Sequence, residues 1–515
     1  MIKPNKLTAF EPPEKSLTYV KYFICLLLWS YVAYRAIFLS LTQDEAHSYL
    51  LAKTDNWRQM AGTTNTHWLN TLFVRLMVMA PGPDSVWKLR LLSILSWPLY
   101  AFCAIKISEH FKNKLIGFTC FAGLVLNPFV LFYFSLERGY APSITLVLLS
   151  VYLASQRIAV NDLRPARWVP VFVCVALASL FNFSAFYFFM ALSVLVISYL
   201  LLTKQLPLLW AKASRPILFI VTSLSLFTSA ALLFVRSRNE LYYGGTDLAT
   251  SMLGSMLHGS FYIDEHYDRY ATEGVQYLLS MDVPIPFQYL GLILFICLTV
   301  AFLRLAWLSL KMNRRFDLLF LALSICWLML ILNGVLNLLF DTPYLFSRTA
   351  LVLYPLLVII SSCAINTLSK KSKPASMVVP FFLIFLSYNF YKSFSVETFV
   401  EWPVQTNTEY TLNYLQQKRA KSVALNPWDY ALMANYFSRA FPGRYTFNYS
   451  YFPESNKGGK TDPGLLAPYE DIVLSPPYDS LLVKSWEVKA ILPFSKTVIL
   501  NAPENKLTDR QEVNW

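Results

Sequence analysis

Eleven long apolar stretches divide the sequence, and this pattern constrains the fold more than any other feature. A helix needs about 20 mostly apolar residues to cross a bilayer, because its backbone polar groups must be satisfied within the segment. The stretches lie at 20–40, 88–107, 115–134, 141–156, 169–182, 185–202, 216–235, 288–308, 317–340, 349–367 and 376–392. The sequence therefore predicts a mainly α-helical, polytopic membrane protein with about eleven transmembrane helices.

Two of these stretches allow a second interpretation. Segments 169–182 and 185–202 are short and meet at 182–184. They predict either two tilted helices around a tight hairpin or one long, broken element. The choice matters, because one span fewer would reverse the sidedness of every later loop.

Composition agrees with a membrane protein. Only 15% of the residues are charged and 56% are hydrophobic, whereas soluble proteins carry about 25% charged residues. These values argue against a soluble enzyme and against a disordered chain. All seven cysteines fall within the apolar stretches, which excludes a disulfide framework and a cysteine-based zinc site.

Lysine and arginine are distributed unevenly, and their distribution predicts the orientation. With the N-terminus inside, the inner segments are 1–21, 106–114, 156–167, 203–215, 309–315 and 368–373, and the outer loops are 41–90, 135–140, 182–186, 236–287 and 341–348. The inner segments hold 19 Lys and Arg in 68 residues, and the outer loops hold 10 in 121 residues. This distribution follows the positive-inside rule. The net charge of +13 is therefore an orientation signal and does not predict nucleic-acid binding.

The sequence divides into two predicted domains. Residues 1–392 form a membrane domain, which includes the outer loops 41–87 and 236–287, and residues 393–515 form an exported α/β domain. Short apolar runs predict strands at 422–425, 472–474 and 497–500, and helices are predicted at 408–418 and 428–440. In the first outer loop, Asp44 to Met60 is predicted to be helical. From Trp68 onward the apolar spacing predicts an amphipathic helix on the outer leaflet.

Ionisable residues cluster where the predicted outer loops meet the membrane, and no predicted span carries an acidic residue in its interior. Ion-coupled transporters usually need such buried groups, so this pattern favours an enzyme acting on a lipid with a polar head. Asp44, just beyond the first span, could serve as a general base. The alternative is that Asp44 or Glu45 only caps a helix.

Two short outer loops carry further candidates. The stretch Glu137-Arg138-Gly139-Tyr140 brings an acid, a guanidinium group and a phenol to the surface, either for function or as an interfacial anchor. The stretch 341–348 contains Tyr344 and ends in Arg348, whose guanidinium group could bind a lipid-linked phosphate or could anchor the helix. His67 could contact a head group or be an ordinary surface histidine.

These motifs, in this order, resemble those of the GT-C superfamily of polytopic glycosyltransferases. The resemblance is greatest to family 39-like proteins, which include protein O-mannosyltransferases and lipid A aminoarabinose transferases. It rests on Asp44-Glu45, Thr66-His67-Trp68-Leu69-Asn70, Glu137-Arg138-Gly139-Tyr140 and Ser347-Arg348-Thr349-Ala350-Leu351 with Tyr354-Pro355. The prolines of the family's His-Pro-Pro-Leu stretch are absent, and Thr349 replaces a tyrosine.

The resemblance implies transfer of a sugar from a polyprenyl-phosphate donor to a lipid, glycan or protein acceptor outside a bacterial inner membrane. It implies that Asp44 and Glu137 are catalytic. It further implies that Glu45, His67, Arg138, Tyr140, Tyr344 and Arg348 bind substrate. No cofactor is certain, although a divalent cation near Glu137 is one option. Two alternatives are a polymerase or ligase of lipid-linked glycans and a lipid or glycan transporter.

Overall fold

The computed structural model describes residues 14–53, 67–82, 85–159, 164–202, 214–238, 244–261, 283–312, 317–370, 373–396, 408–425, 435–437, 439–440, 444, 448–451, 471–474, 487–491 and 498–501. Its helices are α1 (Glu14–Phe38), α2 (Gln43–Lys53), α3 (Trp68–Met79), α4 (Val86–Leu89), α5 (Leu91–Ser108), α6 (Lys114–Val125), α7 (Pro128–Phe134), α8 (Tyr140–Ala159), α9 (Pro165–Phe181), α10 (Ala185–Leu202), α11 (Arg215–Ser237), α12 (Ser255–Ser260), α13 (Ile285–Met312), α14 (Leu318–Phe340), α15 (Tyr354–Ser369), α16 (Lys373–Ser393) and α17 (Thr408–Gln417). A π-helix covers Leu248–Gly254, and a 3₁₀ helix covers Ser347–Leu353.

The predicted membrane helices are confirmed as a bundle. Each of the eleven apolar stretches coincides with one helix or with two consecutive helices. Within the described ranges, seven helices are long and apolar enough to cross a membrane, and α6 with α7 makes an eighth candidate bent by 52°. The two short stretches fold as the separate helices α9 and α10, which pack against each other and thus form a hairpin.

Helix ends follow local chemistry. The bend between α6 and α7 falls at Asn127, whose side chain accepts a hydrogen bond from the Val130 N–H, and Pro128 follows at the first helical position. Proline lacks the N–H that a continuous helix would need there. Helix α14 begins at the Asp317 cap and ends at Asp341, whose φ of 52° is left-handed.

Apolar side chains serve both the core and the bilayer face. Large residues such as Trp97, Tyr100 and Phe134 are buried between helices, where Trp97 stacks on Tyr100 and meets Phe134 edge-on. In contrast, most of α13 is exposed, including Leu303 and Trp307 at more than half of their surface. In a bundle of apolar helices such exposure is expected of surfaces that face lipid.

The C-terminal residues build a five-stranded mixed sheet. Its strands are β1 (Ser422–Leu425), β2 (Asn448–Tyr451), β3 (Asp471–Leu474), β4 (Glu487–Ile491) and β5 (Val498–Asn501). Their order is β2-β1-β3-β5-β4, with β1 parallel to β2 and β3 and the other pairs antiparallel. The three predicted strands correspond to β1, β3 and β5. Helix α17 matches the prediction at 408–418, and of the predicted helix 428–440 only 435–437 and 439–440 are described.

The C-terminal sheet packs on the helices of the first outer loop. Tyr49 of α2 makes an edge-on contact with Tyr436 at 4.7 Å between ring centroids. Val423, Leu425, Val473 and Ile499 of the sheet share one apolar cluster with α2 and α3. The sheet and the first outer loop therefore lie at the same end of the bundle.

Helix α3 matches the amphipathic prediction. Leu72, Leu76 and Met79 are exposed, whereas Asn70 and Thr71 are buried against the protein. Helix α2 ends at Lys53, and the remainder of the helix predicted to Met60 lies outside the described residues.

Candidate functional site

Three of the predicted outer loops meet at Asp44. The Arg348 Nη1 lies 2.8 Å from Asp44 Oδ2, and the Arg138 Nη2 lies 3.5 Å from the same oxygen. The side chains of Asp44 and Arg348 are 19% and 18% exposed, and that of Arg138 is 2% exposed. Residues far apart in sequence thus form one partly open ion cluster at the end of the bundle.

The structure distinguishes Asp44 from a capping residue. Thr42 caps α2, because the Glu45 N–H reaches Thr42 Oγ1 and the Thr42 N–H donates to Glu45 Oε2 at 2.8 Å. This reciprocal pair is a capping box. The Asp44 carboxylate is therefore left to contact the two arginines.

The charge state of Asp44 follows from these neighbours. Burial raises the pKa of Asp44, but the positive charges of Arg138 and Arg348 outweigh burial and lower it below its ordinary value. His47 and His67 act in the same direction when they are protonated. Asp44 is therefore a carboxylate at neutral pH, able to accept a proton but weakly basic while both arginines hold it.

Glu45 lies in a different environment. It is fully buried and forms a two-pronged ion pair with Arg90, with both N–O distances at 2.7 Å. Its Oε1 also accepts the Glu137 backbone N–H at 2.6 Å. These contacts join the first and second outer loops and leave Glu45 without an exposed surface toward a substrate.

Glu137 is buried between Glu45 and α3, where its Oε1 accepts a hydrogen bond from Asn70 Nδ2. Burial and the neighbouring Glu45 carboxylate raise the pKa of Glu137 well above its ordinary value, although Arg138 and Asn70 oppose this shift. A buried carboxyl group of this kind favours the protonated form.

Because the pKa of Glu137 is raised, we expect the stability of the protein to vary with pH through this residue. Because the folded chain holds the proton more tightly than the unfolded chain, stability is lost as pH rises from the ordinary glutamate pKa through the raised one. We expect Glu137→Gln to flatten this loss and to raise the thermal midpoint at pH 8 by a few degrees. Thermal unfolding in detergent at pH 5 and pH 8 measures it.

The control for this prediction is Glu109→Gln, since Glu109 is 43% exposed and forms an exposed pair with nearby Lys106. It should leave the pH dependence unchanged. A wild-type protein equally stable at both pH values would contradict the prediction.

Gly139 allows the second loop to pack closely. A Cβ at this position would lie 1.8 Å from the Phe181 carbonyl oxygen and 3.0 Å from the His67 Cβ. This packing sets the neighbouring Tyr140 ring edge-on to the His67 ring at 5.1 Å. The Arg138 guanidinium lies 5.9 Å from the same tyrosine ring.

His67 is buried beside the ion cluster. Burial lowers the pKa of His67 well below its ordinary value, and the nearby charges of Arg138 and Arg348 lower it further. The imidazole is therefore neutral at physiological pH, with one nitrogen a donor and the other an acceptor.

The segment before Arg348 is held by residues of the predicted outer loop 236–287. The Ser347 N–H donates to Ser255 Oγ at 2.7 Å, and Tyr344 pairs with Gly245 through two backbone hydrogen bonds. A Cβ on Gly244 would lie 2.3 Å from Pro343 Cβ, so only glycine fits there. Tyr344 thus helps to place this segment through its backbone, and none of its described contacts joins the ion cluster.

Of the predicted site residues, the structure brings Asp44, Arg138 and Arg348 into contact, with His67 and Tyr140 beside them. Glu45 and Glu137 lie behind this cluster. Arg90, Asn70 and Ser255 were not predicted. The available signals were the charge of Arg90 at the start of a predicted span and the place of Asn70 at the end of the Thr66-His67-Trp68-Leu69-Asn70 motif. In the part of the chain that the structure describes, no group of three or more His, Cys, Asp or Glu side chains is placed to hold a metal ion.

Comparison with known proteins adds evidence on the fold. No protein-family model and no curated protein matches the sequence. The crystal structure of ArnT from Cupriavidus metallidurans bound to undecaprenyl phosphate is similar, with a TM-score of 0.50 and 11% identity over 96% of this chain and 99% of that chain. The apo structure of the same protein gives a TM-score of 0.49 and 10% identity over the same shares.

The ArnT complex spans nearly the whole of both chains, so the likeness includes the membrane bundle and the C-terminal region. At 11% identity it bears on the fold alone, and it agrees with the resemblance carried by the short sequence motifs. The chain is therefore an integral membrane protein that shares the fold of ArnT.

Proposed function

We propose that this chain is a glycosyltransferase that moves a sugar from a polyprenyl-phosphate donor to a lipid, glycan or protein acceptor. The observation that carries the proposal is the contact of Asp44 with Arg138 and Arg348 at one end of a GT-C fold. ArnT, which shares this fold, has been crystallised with undecaprenyl phosphate. That complex supports a polyprenyl-phosphate lipid as the partner here.

The cluster suits an in-line displacement at the anomeric carbon. The acceptor oxygen attacks this carbon, its proton passes to the Asp44 carboxylate, and the bond from the carbon to the donor phosphate oxygen breaks. The electron pair of that bond stays on the lipid phosphate. Arg348 and Arg138 stabilise the charge that grows there. A single displacement inverts the anomeric configuration.

The other predicted residues take supporting roles in this proposal. Neutral His67 and Tyr140, beside the cluster, offer hydrogen bonds to sugar or acceptor hydroxyls. Protonated Glu137 and buried Glu45 position the loops that carry Asp44 and Arg138, since Glu45 accepts the Glu137 N–H. We therefore propose Glu45 and Glu137 as positioning residues, instead of the predicted substrate contact for Glu45 and the predicted catalytic role for Glu137.

The proposed location follows from charge distribution and from packing. We place the N-terminus in the cytoplasm of a bacterium, the membrane domain (1–392) in the inner membrane, and the C-terminal domain (393–515) outside. The C-terminal sheet packs on α2, the helix that carries Asp44 in its first turn. This arrangement supports a reaction on the outer face, covered in part by the C-terminal domain.

Arg348→Ala provides the test of the proposal. We expect the variant to lower donor turnover by about 10²-fold, the range typical when a preorganised charge-stabilising group is lost. The assay uses purified full-length protein in nanodiscs, a panel of undecaprenyl-phosphate sugars and an envelope extract as the acceptor pool. Mass spectrometry follows released undecaprenyl phosphate and the sugar mass gained by acceptors.

The matched control is Arg236→Ala, because Arg236 is an exposed arginine at the outer end of α11 that donates to the Phe340 carbonyl. It should turn over donor like the wild type. Consumption of diphosphate-linked oligosaccharides alone would instead identify a polymerase or ligase. If the protein consumes no donor but moves lipid across the vesicle membrane, it is a transporter.

A further inference from the structure

Two adjacent acids on α2 meet arginine in different ways. Glu45 and Arg90 form a fully buried fork in which two nitrogens meet two oxygens at 2.7 Å. Asp44 Oδ2, in contrast, lies 2.8 Å from Arg348 Nη1 and 3.5 Å from Arg138 Nη2, and the Asp44 side chain is 19% exposed. The first ion pair is fully buried, whereas the second is partly exposed, so another anion can replace Asp44 at its arginines.

A phosphate group is the better partner for the second pair. Guanidinium groups bind phosphate through two parallel N–H···O bonds, and a phosphate presents enough oxygens for two arginines at once. A single carboxylate oxygen shared by two arginines does not reach that geometry. The partly exposed pair also gains less from its own charges than a dry pair would.

Resting on the function proposed above, we propose that Asp44 occupies the phosphate position before the donor binds, and that the donor phosphate displaces it from Arg348 and Arg138. The arginines exchange one anion for another, and no covalent bond changes in this step. Released from the arginines, Asp44 then accepts the proton of the acceptor hydroxyl. Donor binding thus switches on the base.

The electrostatics of the site support this order of events. While Arg138 and Arg348 hold Asp44, they lower its pKa against the effect of burial. Once the donor's phosphodiester monoanion takes those cations, their pull on Asp44 is partly cancelled and the carboxylate becomes more basic. The acceptor is therefore activated only after the donor is bound, which limits proton transfer in the empty site.

The test is the affinity of Asp44→Asn for undecaprenyl phosphate. Asn keeps the size of the side chain but removes the competing charge, so we expect this variant to bind about 2- to 5-fold more tightly than the wild type, the equivalent of one partly exposed ion pair. Binding is measured by native mass spectrometry of the full-length protein in nanodiscs. Glu409→Gln, an exposed acid at the same end of the bundle, should bind like the wild type.

Two further ligands identify the source of the effect. Inorganic phosphate should show the same direction of change, whereas undecaprenol, which lacks phosphate, should bind both proteins equally. A tighter fit of undecaprenol to the variant would overturn the proposal, because lipid packing would then explain the gain. Asp44→Ser serves as the second variant if Asp44→Asn does not fold.

Equal or weaker binding of undecaprenyl phosphate by both variants overturns the anion exchange, even if the wild type transfers sugar. The proposed function fails separately, if the wild type consumes no polyprenyl-phosphate sugar. The two failures are therefore distinguishable.

Discussion

Replacing Asp44 by Asn is expected to lower the rate of sugar transfer by about 10³-fold or more while the protein still folds and inserts. A positioned general base contributes typically 10²- to 10⁴-fold. The amide oxygen of Asn can still accept the hydrogen bond from Arg348 Nη1 that Asp44 Oδ2 accepts at 2.8 Å. The variant therefore keeps the local contacts and loses the proton acceptor.

The measurement is single-turnover release of undecaprenyl phosphate, because this isolates the chemical step from product release. Thermal unfolding of the variant establishes that the fold persists. The control Glu409→Gln removes an acid from the exposed pair with Arg444 and should retain full turnover. Transfer by Asp44→Asn within about threefold of the wild type would exclude Asp44 as the base.

Hydropathy was sufficient to predict the membrane bundle, because a spanning helix must be apolar along its whole length. It could not show where a helix bends. Segment 115–134 was predicted as one span, yet it folds as α6 and α7 with a 52° bend at Asn127-Pro128. An Asn-Pro pair within an apolar run is a signal for such a break, and here this local signal outweighed the continuous hydropathy of the segment.

The C-terminal sheet shows which strands a sequence reveals. The three predicted strands are the central ones, β1, β3 and β5, whose burial requires apolar residues. The two strands that were not predicted, β2 and β4, are the edges of the sheet. Edge strands tolerate polar and charged residues, as in Glu487–Ile491, and so lack the apolar run that marks a strand.

The site was predictable in its residue types but not in its pairings. Acids and arginines at the membrane boundary were candidates because charged groups are costly to place near a bilayer and commonly mark functional sites. The family resemblance assigned Asp44 and Arg348 to one site, but nothing in the sequence indicated that these residues, 304 positions apart, are in direct contact. Residue type alone did not separate Asp44 from Glu45, because the Thr42 cap and the Arg90 pair are what give the two neighbours different environments.

Substitution of Arg90 is expected to cause the largest change in stability. Besides the pair with Glu45, its Nη1 and Nη2 donate to the carbonyls of Ala36, Leu39 and Ser40 at 2.8 to 3.2 Å, at the end of α1. One side chain therefore ties the first span to the loop that carries Asp44. Because Arg90→Ala leaves the buried Glu45 carboxylate without its cation, we expect a loss of about 3–5 kcal/mol.

A double mutant separates the effect of the unpaired buried charge from the effect of the lost contacts. Arg90→Met combined with Glu45→Gln removes both charges, so it should be more stable than Arg90→Ala, because no unpaired charge stays buried. Arg444→Ala is the matched control, since its pair with Glu409 is 39% and 38% exposed and should contribute about 0–1 kcal/mol. Thermal unfolding in detergent compares the three. Equal losses for Arg90→Ala and Arg444→Ala would show that the buried pair does not hold the first loop to the bundle.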